Sequence, residues 1–509
     1  MWTVISLAVY YYLTSTFDFW KNRGVVGPRP IPGFGNIKDV MLRKINIGDY
    51  ITRLYKKYKN EPMIGIFVRG SPSLILCDLD LIKDVLIKDF STFDNRGLNV
   101  PERVCKTDPL TTNLFNVEAR RWRPLRTKLS PVFTSGKLRE MFPLILECAE
   151  NLEKCLEKIV EKGGFMDCRE ITARFSTDVI GSCVFGINMN ALSDEESEFR
   201  RIGRKIFDHN LKSIIRLTFR ETFPWLYNFL WFLIPQAEVS TFITKLVADT
   251  MKYREENNIV RPDFINMLME LKKHPEKLAD IGKPINCILK WIFNYSLTDT
   301  ILAAQAFVFF AAGFETSSTT ISHALYEMAL NPDIQDKLRT EIIEFHVKTN
   351  GNLKYEQVKE MKYLDKIFKE TLRKYSAGTL LRRQCNANYT FSGTKITIPK
   401  GTGIFIPVYA IQRDSNYYPD PEKFDPERFN EDAVAARHPM SYLPFGDGPR
   451  NCIGARFAIY QTKMGLIKIL HKFKVDVCEK TITTYVHNPN SLTLSPKGGI
   501  HLKISKIES

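Results

Sequence analysis

Apolar and polar positions change rhythm several times along the chain. Met1 to Leu13 is almost unbroken apolar sequence, and the first charged side chain is Asp18. Between about 60 and 95, short apolar runs are separated by turn formers: Met63-Ile64-Gly65-Ile66-Phe67-Val68, then Gly70-Ser71-Pro72-Ser73, then Leu74-Ile75-Leu76-Cys77. That arrangement predicts a β-hairpin. From about 118 to 380 apolar residues recur near every 3.6 positions among charged ones, which predicts helices. Residues from about 384 to 410 return to strand patterning, with Tyr389-Thr390-Phe391 and Lys395-Ile396-Thr397-Ile398 punctuated by Pro399 and Gly401. A helix is expected after Cys452 and strand again near the end. No internal repeat or low-complexity segment is present. The expected fold class is mainly α with small β-sheets (α+β), unlike a doubly wound sheet of alternating strands and helices.

The N-terminal apolar run is short for a membrane span but usable. It lacks the leading positive charge and small-residue cleavage site of a signal peptide. Lys21, Arg23 and Arg29 follow it, which places the bulk of the chain in the cytosol. Gly27-Pro28-Arg29-Pro30-Ile31-Pro32-Gly33 is stiff, extended and non-helical. The expected organisation is a membrane anchor over 1–20, a Pro/Gly-rich hinge over 21–35, and one body over 36–509; the competing reading of 1–20 is an exposed apolar terminus. A second apolar stretch, Phe223 to Pro235, is bounded by prolines and too short to span. It suits a membrane interface or a buried helix connection, and both readings stand.

Composition narrows the class. With 509 residues, 44% hydrophobic and 12% aromatic, the chain can build a large packed core. The net charge of +15, from 72 Lys+Arg against 57 Asp+Glu, is scattered rather than gathered in an arm. No nucleic-acid-binding signature accompanies it, so no nucleic-acid partner is expected. The absence of a C-x-x-C pair argues against structural zinc and thioredoxin-like chemistry, and ten cysteines in 509 residues are too sparse for a disulfide scaffold. Buried thiols in a reducing compartment are the expectation, with one chemically distinct.

That one is Cys452, in Phe445-Gly446-Asp447-Gly448-Pro449-Arg450-Asn451-Cys452-Ile453-Gly454. The pattern F-x-x-G-x-R-x-C-x-G is specific because each fixed residue has a task. Glycines allow a tight loop with amides near sulfur, and those amides tune a thiolate. Phe445 excludes water, and Arg450 can pair with a carboxylate. The following helix turns its positive end towards Cys452 and favours thiolate over thiol.

The segment resembles the cysteine-ligand loop of cytochromes P-450. The resemblance implies a helix-rich lobe and a β-rich lobe around a buried haem b, with Cys452 on the iron and Phe445, Gly446, Arg450 and Gly454 around it. Glu370-Thr371-Leu372-Arg373 resembles the family's E-x-x-R helix, and Pro426-Glu427-Arg428-Phe429 the segment supplying its partner arginine. Glu370, Arg373 and Arg428 are thereby implied to form a buried structural lock. Ala312-Gly313-Phe314-Glu315-Thr316-Ser317, inside the apolar run from Ala303 to Thr320, resembles the oxygen-binding helix. There Gly313 beside Thr316 is expected to open a notch. The resemblance implies Ala312 against the cofactor, Thr316 hydrogen-bonding the oxygen under activation, and Glu315 helping to deliver protons. Trp122, Arg126 and Arg383 are implied partners of the haem carboxylates. Phe17-Asp18-Phe19-Trp20, Ser176 to Cys183 and Ala303-Ala304-Gln305-Ala306-Phe307 carry a closer likeness to insect microsomal enzymes of family six.

The resemblance implies a monooxygenase of apolar small molecules: xenobiotics, plant defence compounds, insecticides or endogenous lipophiles. It also implies an endoplasmic reticulum membrane location with the catalytic domain facing the cytosol. No flavin or nicotinamide domain is recognisable, so electrons are expected from NADPH-cytochrome P-450 reductase, with cytochrome b5 as a second partner and membrane lipid as a third. Two rivals stand beside this: a haem-thiolate isomerase or dehydratase, against which Glu315-Thr316 argues, and a membrane-tethered haem or lipophile binder without turnover. The chain departs from the family at Ser376-Ala377, where two prolines are usual, and at Gln412, where histidine is usual; neither is expected to touch the chemistry. Residues 282–296, rich in Trp, Phe and Ile without a period, read as a genuine insert or as a translated short intron.

Overall fold

The computed structural model describes residues 1–98, 100, 105, 108–193, 198–207, 237–273, 298–491 and 493–507. Phe223–Pro235 and residues 282–296 lie outside the described residues. In chain order, the described helices of ten residues or more and all strands are α1 (Trp2–Thr14), α2 (Ile47–Lys57), β1 (Met63–Val68), β2 (Ser71–Leu76), α3 (Ala119–Leu129), α4 (Ser135–Glu161), β3 (Phe165–Asp167), α5 (Cys168–Ile180), α6 (Glu198–Phe207), α7 (Ala237–Glu256) and α8 (Phe264–Lys273). They continue with α9 (Asp299–Leu330), α10 (Pro332–Lys348), α11 (Lys362–Lys374), β4 (Leu381–Gln384), β5 (Tyr389–Thr390), β6 (Thr397–Ile398), β7 (Gly403–Ile406), α12 (Ala455–Lys472), β8 (Phe473–Asp476) and β9 (His501–Lys506). The mainly helical class with small sheets is as the periodicity predicts. The chain divides into two compact units, Met1–Gly97 with Asp365–Cys452 and Thr483–Gly498, and Leu98–Leu364 with Ile453–Ile482 and Gly499–Ser509.

The first unit is built on a sheet of order β1-β2-β7-β4. The β1/β2 hairpin is antiparallel with Ile64 opposite Ile75, and β2 runs parallel to β7 from Ser73 onward. The turn is tighter than the sequence suggests. It sits at Arg69-Gly70, with Arg69 at φ 59, and Ser71-Pro72-Ser73 already belong to β2. Pro72 lies outside the span paired with β7, the edge-like position in which strands tolerate proline. Ile64, Ile66 and Ile75 lie on one face and Leu74, Ile404 and Ile406 on the other, and all six are buried.

Trp20 joins this core at 3% exposure and donates its indole N–H to the Ile66 carbonyl at 2.9 Å. A Cβ on Gly65 would lie 2.4 Å from the Trp20 ring, which is why a glycine interrupts the apolar strand. The Pro/Gly-rich segment is laid along β1: Gly65 N–H donates to Val26 O at 2.8 Å, and the Phe67 amide to Asn36 Oδ1 at 2.7 Å. Helix α1 stands clear of this core. It has no buried residue, and Trp2 (80%), Leu7 (63%) and Tyr11 (75%) face outward.

The second unit surrounds α9, whose N-terminus is capped by Thr298 on the Ile301 amide. The helix is long and apolar enough to cross a membrane, yet 56% of that stretch is buried, as in a core helix. Some of its buried hydroxyls are satisfied within the helix: Thr320 donates to Thr316 O at 2.8 Å and Ser322 to Ser318 O at 2.8 Å. A three-stranded sheet of order β3-β9-β8 closes this unit.

Candidate active site

The ten-residue cysteine loop is folded by its own backbone. The Gly446 amide donates to Leu443 O at 3.0 Å, the Asn451 amide to Gly448 O at 3.0 Å, and the Cys452 amide to Phe445 O at 2.8 Å. The Cys452 N–H is therefore spent on closing the loop. Gly446 and Gly448 take φ 68° and 71°, and a Cβ on Gly448 would meet Leu86 O at 1.9 Å. The glycines are thus demanded by backbone shape and by close approach of the Leu86 carbonyl. Phe445 stacks near Phe368 on α11, with ring centroids 6.4 Å apart. Arg450 is buried at 2% exposure, and Arg96 donates to its carbonyl.

Cys452 itself is exposed. Among the described residues, Cys77, Cys148, Cys168, Cys183 and Cys385 are buried and Cys105, Cys155 and Cys478 half-buried, with no disulfide. Burial pushes the Cys77 and Cys148 thiols up to about 12, so they are inert as nucleophiles or ligands at neutral pH. Cys452 is the exposed cysteine among the described residues.

Arg383, on β4 in the same unit, tests whether the site fits a haem carboxylate. It is 2% exposed, donates Nη1 only to its neighbour Arg382 O at 3.0 Å, and its Nε has no hydrogen-bond partner among the described residues. Burial drives its pKa down to about 10. A buried guanidinium held this way is short of an anion, and a carboxylate supplies one.

The structure brings Glu370, Arg373 and Arg428 together. Arg373 donates Nε to Glu370 Oε2 at 2.6 Å and Nη2 to Oε1 at 2.8 Å, with both side chains fully buried. Arg428 Nε stands 3.5 Å from Glu370 Oε1, and the Asp425 amide donates to the same oxygen at 2.9 Å. Burial pushes the Glu370 carboxyl up, against the pull of Arg373 and these neighbours. Arg373 also reaches Gln412 O at 3.0 Å and Pro421 O at 2.8 Å, so the pair pins three segments.

In the second unit, α9 runs unbroken through Ala312–Ser317. The expected notch is not formed at Gly313. The Thr316 hydroxyl donates to Ala312 O at 2.7 Å, and the helix stays continuous. Gly313 has a different reason: a Cβ there would lie 2.4 Å from Ile180 Cδ1. Ala312 is exposed and Thr316 half-buried, so both can face a ligand. Glu315 is 7% exposed and ion-paired to Arg169 on α5, a partner the sequence did not suggest. Trp122 and Arg126 sit one turn apart on α3, with Trp122 at 3% exposure. Gly454 precedes α12 as its N-cap, and the Ala458 amide donates to its carbonyl at 2.9 Å.

Gln412, which the sequence marks only as a departure from the usual histidine, is fully buried, and its carboxamide bonds α11 on one side and Leu443 on the other.

Comparison with known proteins settles what carries this arrangement. A family model described as cytochrome P450 matches residues 25–503. The chain is 40% identical to Cytochrome P450 6A1 of Musca domestica over 509 residues, covering 99% of this chain and 97% of that one. It is 41% identical to Probable cytochrome P450 6a13 of Drosophila melanogaster (99% and 98% covered) and 38% identical to Cytochrome P450 6j1 of Blattella germanica (99% and 97% covered). With its loop cysteine and a family match across nearly its full length, the chain belongs to the cytochrome P450 family: it is a haem-dependent monooxygenase, similar to insect enzymes of family six.

Proposed function

We infer that this enzyme oxygenates apolar small molecules at a haem whose iron is held by Cys452. The observation that carries the reading is the cysteine loop: a closed, glycine-shaped turn that leaves Cys452 exposed while the other described cysteines are buried or half-buried. Bound there, haem with a thiolate ligand activates molecular oxygen, one atom entering the substrate C–H bond and the other leaving as water with two electrons and two protons.

The chain's residues have separable tasks. Arg383, Arg450, Trp122 and Arg126 bind the haem carboxylates. Phe445 and Gly446 keep the sulfur's surroundings apolar and close-fitting, Gly454 leads into α12, and Ala312 offers a flat helix surface to the cofactor. The Glu370–Arg373–Arg428 lock keeps the cysteine's unit rigid. Thr316 holds a proton at its Oγ1. Glu315 passes one on after releasing Arg169, which now occupies its carboxylate. Residues 1–20 anchor the protein in the endoplasmic reticulum membrane, with 21–35 leading to a cytosolic catalytic domain over 36–509. Electrons come from NADPH-cytochrome P450 reductase, with cytochrome b5 as an auxiliary donor. Xenobiotics, plant defence compounds and endogenous lipophiles are the substrate class.

Cys452→Ser tests the reading. A hydroxyl is a far weaker donor to iron, so the variant should lose the thiolate signature of the reduced, carbon-monoxide-bound spectrum and all turnover. A variant with the parent spectrum removes Cys452 from the role.

A further inference from the structure

The last four carbonyls of any helix need partners from outside it. At the end of α11 these are Thr371, Leu372, Arg373 and Lys374, and all four are met. The Tyr375 amide donates to Thr371 O at 2.7 Å. Gln412 Nε2 donates to Leu372 O at 2.9 Å and to Arg373 O at 3.1 Å. Arg413 Nη1 donates to Lys374 O at 2.6 Å. The other half of the Gln412 carboxamide turns the opposite way: its Oε1 accepts the Leu443 amide at 2.9 Å. Leu443 O then accepts the Gly446 amide, the first bond of the cysteine loop.

A short chain of bonds thus runs from the Glu370–Arg373 lock, through one fully buried carboxamide, to the loop bearing Cys452. Gln412 uses two donors and one acceptor there. A neutral imidazole has one of each, and an imidazolium has two donors and no acceptor. Neither can make all three bonds, so glutamine at this position is a closer fit than histidine. Arg373 returns the tie by donating to Gln412 O at 3.0 Å.

We propose that Gln412 is a positioning residue for the cysteine ligand, coupling the rigid end of α11 to the root of the Phe445–Cys452 loop. The proposal rests on Cys452 being the iron's ligand, and its test is separable from that reading. Gln335 supplies the control. It is equally buried and equally bridging, donating to Met328 O at 3.2 Å and Val475 O at 2.8 Å and accepting from the Val475 amide at 2.9 Å, but in the other unit.

Holoenzyme carrying Gln412→Leu, Gln412→His or Gln335→Leu would be compared by amide hydrogen exchange and by the rate at which the thiolate spectrum decays under mild denaturant. Gln412→Leu should speed exchange at Leu443, Gly446 and Cys452 about tenfold, the equivalent of roughly one net hydrogen bond, and hasten spectral decay to match. Gln412→His should fall between it and the parent. Gln335→Leu should loosen the Val475 strand and leave the loop's exchange unchanged. Equal loop exchange in Gln412→Leu and parent overturns the proposal, as does an equal loop effect from Gln335→Leu. If Gln412→Leu does not fold, Gln412→His decides, since parent-like exchange at Leu443, Gly446 and Cys452 in that variant also refutes it. Failure of the Cys452 assignment would show differently: the thiolate spectrum would survive Cys452→Ser whatever Gln412 does.

Discussion

Replacing Arg373 with leucine should come close to exhausting the stability of the enzyme. The guanidinium is fully buried and makes two bonds to Glu370, with further bonds to the carbonyls of Gln412 and Pro421. Removing one partner of a buried ion pair costs about 3–5 kcal/mol because the other charge is stranded. Two carbonyls losing a donor add about 1 kcal/mol each. The sum, about 5–7 kcal/mol, is comparable with the 5–15 kcal/mol that typically separates folded from unfolded protein. One effect limits it. Burial already pushes the Glu370 carboxyl up, so without Arg373 the acid can take a proton and shed its charge. Glu370→Leu combined with Arg373→Leu removes the stranded carboxylate but leaves the two carbonyls and the Asp425 amide unmet and Arg428 without its acid. It should regain only part of the pair penalty and remain about 3 kcal/mol below the parent. Urea titrations followed by circular dichroism and by the thiolate spectrum would rank the three proteins. A single variant within about 1 kcal/mol of the parent, or a double variant no better than the single, would refute the ledger.

Gly313→Ala should cost about 1–3 kcal/mol by driving a methyl into Ile180 Cδ1, and Ile180→Val should recover it by removing that atom, although it destabilises alone; additive losses in a thermal melt would point to another cause. Burial raises the Glu170 carboxyl, but Arg200, Arg174 and Arg204 outweigh it and hold the pKa at about 2. Its folded value lies below its unfolded one, so its contribution is present above about pH 4.5 and fades as pH falls towards about 2. Glu170→Gln should therefore lower the melting temperature at pH 7 and converge on the parent in acid, by an amount reduced because the cluster is partly exposed; a constant difference across pH contradicts this. Deleting residues 1–14 should reduce sedimentation with membranes after an alkaline wash and leave the melting temperature unchanged. Deleting 1–20 also removes buried Trp20 and should cost about 3–5 kcal/mol more; equal melts of the two truncations would show Trp20 to be dispensable.

What was legible in the sequence was whatever a local pattern encodes. The hairpin of β1 and β2, the helical stretches and the cysteine loop each depend on spacing or on glycine at a fixed offset. Glu370 and Arg373 were legible as a pair because three residues along a helix place them on one face. Partners distant in sequence were not. Arg169 pairs with Glu315 across 146 positions, and nothing in either helix's own sequence points to the other. Gly313 was assigned to a notch because its neighbour is Thr316; its actual constraint is Ile180, on another helix. The Pro/Gly-rich segment reads as a stiff, extended hinge because proline forbids helix there, and nothing local says that β1 hydrogen-bonds to it. Gln412 is the sharpest case. A carboxamide declares its two donors and one acceptor in any sequence. Which backbone groups it meets depends on where two separate segments, ending at Lys374 and beginning at Leu443, are left with unmet polar atoms after the helices have packed. Those atoms belong to residues whose side chains say nothing about the need. The requirement becomes visible only when the orphan groups at the end of a helix are counted, and the side chain that meets them then stands out even in a position that looked remote from the chemistry.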